Sequence, residues 1–159
     1  MEASVRMSGP LDPRDGWGAD RCSVAGALKV VHHTSAFLVL REIFYGAQRF
    51  DEIARRARLS EPTVAARLSE LTTEGLLVRE DYKEPGQRTR QGYRLTDKGA
   101  DFFPILVALM GWGDRWVTDG GPVELRHRDC GEPVHVELRC AAGHAVASSR
   151  ELDLAYRGG

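Results

Sequence analysis

The chain has 159 residues, a formal net charge of −1, 42% hydrophobic residues and 28% charged residues. This suits one domain, or one domain with a small appendage, and excludes a disordered polymer. It also excludes a strongly basic binder held to nucleic acid by bulk charge, and no apolar run approaches the roughly 20 residues of a membrane span.

Residues 1–20 have no apolar core of a secretory signal, and their proline, glycine and aspartate predict a flexible tail on a cytoplasmic chain. Residues 22–45 predict one or two helices. Val24, Leu28 and Val31 recur at helical spacing, as do Phe37, Leu40 and Phe44, with Thr34 or Ser35 as a second cap and Gly46 as a stop. A short helix follows over Phe50–Ala57, with Phe50, Ile53, Ala54 and Ala57 on one side. The next begins at Ser60, an N-cap, with Pro62 in the first turn where a missing N–H costs nothing. Val64, Leu68 and Leu71 form its buried stripe, and Gly75 ends it.

Two strands, Leu77–Asp81 and Gly92–Leu95, flank the loop segment YKEPGQRTRQG. Thr96 then caps a long helix running to Thr118, which Pro104 should kink. The last part, VELRHRDCGEPVHVELRCAAGHAVASSRELDL, alternates apolar and polar residues and predicts two or three short strands. No internal repeat is evident. The expected fold is α+β and mainly helical: a winged helix-turn-helix with N- and C-terminal dimerisation helices. Its expected divisions are a tail (1–20), a DNA-binding and dimerisation domain (21–119) and a small β-rich appendage (120–159).

Helix, tight turn, helix and a two-stranded hairpin form the order of a winged helix-turn-helix. The second helix of such a motif enters the major groove, and cations at the hairpin tip meet phosphate. From Gly46 to Arg94 there are ten Lys/Arg and eight Asp/Glu, a local balance of 10 − 8 = +2. Opposite the buried stripe the second helix carries Pro62, Ala66, Ser69 and Thr73, flanked by Thr63 and Arg67. The candidate DNA contacts are therefore Ser60, Pro62, Thr63, Ala66, Arg67 and Ser69 on this helix, and Arg88, Thr89, Arg90 and Gln91 at the wing. Arg67 has a second use open to it, an ion pair with Glu70 or Glu74.

Phe102, Leu106, Leu109, Trp112 and Trp116 belong to an apolar set that nearly encircles the helix after Thr96. Such a helix needs burial on more than one side, which a second copy of the chain supplies, with Val24 and Leu28 joining the seam. A core helix of a monomer is the alternative.

The pieces CSVAGAL, LREIFYGAQRFDEI, LSELTTEGLLVRE, YRLTDKG, PILVALMGWGDRW and VELRHRDCG, in this order, resemble HxlR-type bacterial transcription regulators, relatives of the MarR type. The resemblance runs from Cys22 to about Leu154. It implies a homodimer on double-stranded DNA that binds a pseudo-palindromic operator, acts as a repressor, and responds to a redox, electrophile or small-molecule effector. Where the family carries a glycine-rich stretch with a tryptophan, this chain has VHHTSAF, and its recognition helix has Pro62 and Ala65 where polar readers are frequent. Cys22 stands at the position of the family's sensing cysteine. A helix N-terminus there would favour the reactive thiolate; an inert thiol at an interface is the alternative.

Three cysteines, Cys22, Cys130 and Cys140, do not make a disulfide framework. Cys130, Cys140 and His144 are weak metal candidates, since the tail has no CxxC pair, and no metal or cofactor is expected. Without an oxyanion element, a nucleophile motif or a phosphate loop, an enzyme is not expected either. The remaining alternative is a ligand-binding or protein-interaction module on a winged-helix scaffold with weak DNA affinity.

Overall fold

The computed structural model describes residues 5–7, 22–82 and 90–155. Two helices open the main body, α1 (Ser23–Val30) and α2 (Thr34–Phe44). The cap of α2 is His33, extended at φ −112° and ψ 135°, and its side chain makes no capping bond. Thr34 and Ser35, the expected caps, already lie inside the helix. α2 is the central element, burying Ala36, Val39, Leu40 and Ile43. It also buries Glu42, whose carboxylate accepts from Arg41 Nη2 at 2.6 Å and Nε at 2.9 Å.

α3 (Phe50–Ala57) and α4 (Glu61–Thr73) fall where their spacing places them. The turn between them closes with Arg58 in the left-handed region, φ 53°. Leu59 N donates to Ala54 O at 3.2 Å, and Leu59 itself packs on the core. The central side chains are Val39, Leu40, Ile53, Val64, Leu68, Leu71 and Leu77, all essentially without solvent contact. Each stabilises the fold by about 1.5–3 kcal/mol relative to its exposed state. This core fixes the rotation of α4, because a shift by one residue would carry its stripe into solvent.

The hairpin consists of β2 (Leu77–Tyr82) and β3 (Arg90–Leu95), counted after β1 (Arg6–Met7) at the N-terminus. The strands are antiparallel, with Leu77 opposite Leu95 and Tyr82 opposite Arg90, so both run further toward the tip than predicted. Tyr93 N donates to Gln48 O at 2.9 Å, tying the hairpin to the segment before α3.

The helix expected from Thr96 to Thr118 is two helices, α5 (Asp97–Ala100) and α6 (Phe103–Trp116). Thr96 caps the first, accepting from Gly99 N at 3.1 Å. Pro104 does not kink a continuous helix. It occupies the first turn of α6, the position that tolerates a missing N–H and a fixed φ, and the break falls before it.

The C-terminal segment is less regular than the predicted strands. Its described residues contain two isolated antiparallel bridges, Arg126 with Pro133 and Arg139 with Ala145, a short 3-10 turn at Ser149–Glu151, and β4 (Asp153–Leu154). Strand β4 pairs in parallel with β1, so part of the expected tail is a strand. The segment also contains a repeat that a period-two reading passes over: Val-Glu-Leu-Arg at 123–126 recurs at 136–139. Among the described residues, no single helix is long and apolar enough to cross a membrane.

Candidate nucleic-acid interface

The geometry of α4 begins at its cap. Ser60 Oγ accepts from Thr63 N at 3.4 Å and lies 2.8 Å from Thr63 Oγ1, so the two hydroxyls share a hydrogen bond. Both hold the helix start, and a DNA contact by either would compete with that bond. Val64, Leu68 and Leu71 face the core, and Pro62, Ala65, Ala66, Ser69 and Thr73 are exposed on the other side. Pro62, Ala66 and Ser69 stand as the sequence placed them. The outward face carries small side chains and no cation.

Arg67 takes the second of its two uses. Its side chain is 12% exposed and its Nη2 donates to Glu70 Oε1 at 2.7 Å. Its Nε is buried without a hydrogen-bond acceptor. It is held against the body rather than presented on the exposed face, because at this rotation of α4 its position lies on the border of the buried stripe.

Arg90 and Gln91 are exposed at the start of β3. Arg88 and Thr89 lie outside the described residues. Lower in the hairpin, Arg94 pairs with Glu80 across the strands, Nε donating to Oε2 at 2.7 Å. The Arg94 hydrogen bond holds the Glu80 carboxyl below its ordinary value, against a smaller opposing effect of desolvation. Arg79 lies over the Tyr93 ring at 5.5 Å. Those two arginines therefore stiffen the hairpin. The spacing argument missed Arg58, an exposed cation at the turn into α4 and without an ion pair among the described residues. The available signal was a basic residue inside a helix-helix turn.

Of the residues expected at a dimer seam, Val24, Leu28, Leu109, Trp112 and Trp116 are exposed, the two tryptophans at 61% and 64%. Phe102 and Leu106 are half-buried instead; Phe102 packs on the core, its ring 5.5 Å from that of Phe37. A cleft of about 810 Å³ separates α6 from the C-terminal segment, lined by Val107, Trp112, Trp116, Val123, Val134 and His135 among others.

Cys22 is half-buried at the cap of α1, and its carbonyl accepts from Gly26 N at 2.9 Å. Arg21, its neighbour, lies outside the described residues. His32 and His33 are exposed turn residues whose rings sit 3.9 Å apart. Cys130, Cys140 and His144 are exposed, and among the described residues no three His, Cys, Asp or Glu side chains are gathered closely enough to hold a metal.

A core-locked α3-turn-α4 pair beside a two-stranded wing defines the class: a helix-turn-helix transcriptional regulator of the winged type. The chain belongs to the HxlR-like helix-turn-helix family, whose model matches residues 30–120, more than half of it. It is 40% identical over 120 residues to an uncharacterised HTH-type transcriptional regulator of Mycobacterium bovis, covering 74% of this chain and 75% of that one. The crystal structure of PA1607, a proposed transcription factor, superposes with a TM-score of 0.76 at 33% identity, covering 87% of this chain and 96% of that one. The redox regulator HypR in its oxidised form gives a TM-score of 0.53 at 25% identity, covering 59% and 96%. These relatives are transcription regulators, and this family is not enzymatic.

Proposed function

We propose that the chain is a cytoplasmic repressor that works as a homodimer, setting two copies of α4 into successive major grooves of a pseudo-palindromic operator. The observation that carries this reading is the exposed row Pro62, Ala66, Ser69 and Thr73, held outward by the buried stripe on the opposite side of one helix. Methyl-bearing side chains such as Ala66 suit thymine methyl groups, and Ser69 can hydrogen-bond a base edge or phosphate. Arg90 and Arg58 are the phosphate partners, together with Arg88, which the sequence names and which lies outside the described residues. The exposed apolar residues Val24, Leu28, Leu109, Trp112 and Trp116 support a second copy as their cover.

Cys22 is the sensing position in this reading, with its thiol at the start of a helix near the proposed seam. The resemblance in fold to a redox regulator supports it. A gel shift with and without diamide, wild type against Cys22→Ser, tests it. Equal responses from both proteins remove Cys22 from the role.

The main experiment is anisotropy with the DNA upstream of the chain's own gene, titrated with salt. Each phosphate contact contributes about −0.9 to the slope of log K against log salt, so Arg90→Ala, present twice in a dimer, should flatten it by roughly 2. An unchanged slope removes the wing from the interface. The second reading, a ligand-binding module with weak DNA affinity, is favoured by the lack of a cation on the outward face of α4. Weak binding with no preference over unrelated DNA selects it.

A further inference from the structure

One side of α6 turns toward α2. The Phe103 ring lies 5.2 Å from that of Phe44, Val107 is buried, and Met110 Sδ accepts from the Tyr45 hydroxyl at 3.7 Å. Asp114 is the next residue on this side, four positions beyond Met110 and seven beyond Val107. Helical spacing asks for an apolar residue there, and the chain places a half-buried carboxylate.

Among the described residues nothing offsets this charge. Asp114 forms no ion pair and no side-chain hydrogen bond with them. The guanidinium of neighbouring Arg115 lies instead over the Trp116 ring, 4.7 Å from its centroid. Asp114 also stands in the last turn of α6, where the helix dipole is negative and opposes a carboxylate. The chain then folds back against it. Gly120 N donates to Asp114 O at 2.9 Å, and a Cβ at Gly121 would lie 2.5 Å from Asp114 Oδ1.

The carboxylate lines a cleft of about 500 Å³ between α2, α3, α6 and residues 121–123. This is the size of a small-molecule site, with apolar walls at Met110, Pro122 and Val123. Arg41 and Arg56 also line it, and each is already paired, Arg41 with Glu42 and Arg56 with Glu52, both at 2.6 Å. Glu42 belongs to the lining and is only 6% exposed. Arg41 donates twice to its Oε1, while Oε2 accepts no hydrogen bond among the described residues. The Tyr45 hydroxyl gives its proton to a thioether, a weak acceptor, and its oxygen can still accept. Two positive charges therefore stand against three negative ones, Glu42, Glu52 and Asp114, a net of −1. An anion here would have to break one of the pairs and face Asp114 as well. A bare metal ion would lack ligands, since no three suitable side chains are gathered among the described residues.

We propose that this cleft binds a hydrophobic primary amine as its ammonium ion, with Asp114 as the counter-ion. Glu42 Oε2 and the Tyr45 hydroxyl are further acceptors for its three N–H donors, and Met110, Pro122 and Val123 face its hydrocarbon part. Arg56 belongs to α3 and Asp114 to α6, so an occupant touches both the helix-turn-helix and the helix proposed for the seam. Leu109, Trp112 and Trp116 lie on the opposite side of α6, so the proposed seam does not use this one. The site stands whether or not α4 enters DNA.

The test titrates the full chain by calorimetry with 2-phenylethylamine, phenylacetate and 2-phenylethanol, which place an ammonium, a carboxylate and a neutral hydroxyl on similar frames. The ammonium should bind at least about tenfold more tightly than either of the others. Asp114→Asn should weaken ammonium binding by about tenfold or more, and Asp101→Asn, an exposed carboxylate outside the cleft, should leave it unchanged. Val123→Trp fills the cleft from an exposed wall position and should block binding with Asp114 intact. Circular dichroism and sedimentation of each variant check that helix content and assembly are kept. No ammonium binding, equal binding of the three compounds, a preference for phenylacetate, or ammonium binding unmoved by Asp114→Asn or by Val123→Trp would each overturn the proposal. So would weaker self-association of Asp114→Asn with ammonium binding intact, which would assign the carboxylate to a partner chain.

Discussion

Replacing Gly99 by alanine probes how the wing is joined to the C-terminal helices. A Cβ at this position would lie 2.1 Å from the Leu76 carbonyl oxygen, 3.1 Å from the carbonyl carbon and 3.1 Å from Leu95 Cδ2. That carbonyl cannot simply retreat. It accepts from Thr96 N at 3.0 Å and Thr96 Oγ1 at 3.2 Å, and the same hydroxyl donates to Gly75 O at 2.6 Å while accepting from Gly99 N. Relief of the clash requires α5 to move off the hairpin, which also opens its cap. Overpacking costs about 1–3 kcal/mol. Loss of a cap adds about 1 kcal/mol, so the expected destabilisation is roughly 2–4 kcal/mol. Urea unfolding followed by far-UV circular dichroism reads this directly. Gly26→Ala is the control, because a Cβ there meets nothing within 4 Å and the helix gains up to about 1 kcal/mol. If Gly99→Ala unfolds at the same urea concentration as Gly26→Ala, the steric account of this junction is wrong.

Ser60→Ala should destabilise the chain by about 1 kcal/mol and Ser60→Gly by only a few tenths, measured by the same unfolding experiment, since the cap bond is lost but Gly tolerates the cap conformation. Leu109→Glu places a charge on the exposed apolar face of α6; sedimentation should show a smaller species than wild type at equal concentration, with unchanged helix content. Arg67→Met keeps the apolar stem and removes the buried Nε that has no acceptor, so stability should change by less than about 1 kcal/mol or rise, and the salt slope of DNA binding should not move. A loss of one unit of slope per copy would put Arg67 on phosphate after all.

The elements most legible in the sequence are those whose ends carry local chemistry. α4 falls at its predicted position because Ser60, Pro62 and Gly75 mark boundaries that no distant contact needs to supply, and α3 falls at its own from the spacing of Phe50, Ile53, Ala54 and Ala57. The cap of α2 was illegible for the converse reason: His33 donates no side-chain group to the helix, so only its extended backbone marks the start. Pro104 was misplaced because a proline inside an apolar run fits either a kink or a fresh first turn. The choice depends on Thr96 capping a separate short helix against Gly75 and Leu76. The duplicated turns at 126–133 and 139–145 escaped because alternation was read residue by residue, whereas the repeated feature is a four-residue entry to a bend.

The placement of Arg67 and the hydroxyl pair at Ser60 and Thr63 shows how folding constrains recognition in this chain. A helix of this length has one face for the core, and that face claims Val64, Leu68 and Leu71. The cap claims Ser60 and Thr63, and the border claims Arg67 for Glu70. Small residues are what remains outward, so on the proposed reading α4 supplies shape and methyl contacts more than charge. The electrostatic share of affinity must then come from Arg58, from the wing, and from the doubling of each in a dimer. A monomeric variant such as Leu109→Glu should therefore lose DNA affinity out of proportion to any change in α4, and retention of wild-type affinity by a demonstrated monomer would show that one copy binds without that doubling.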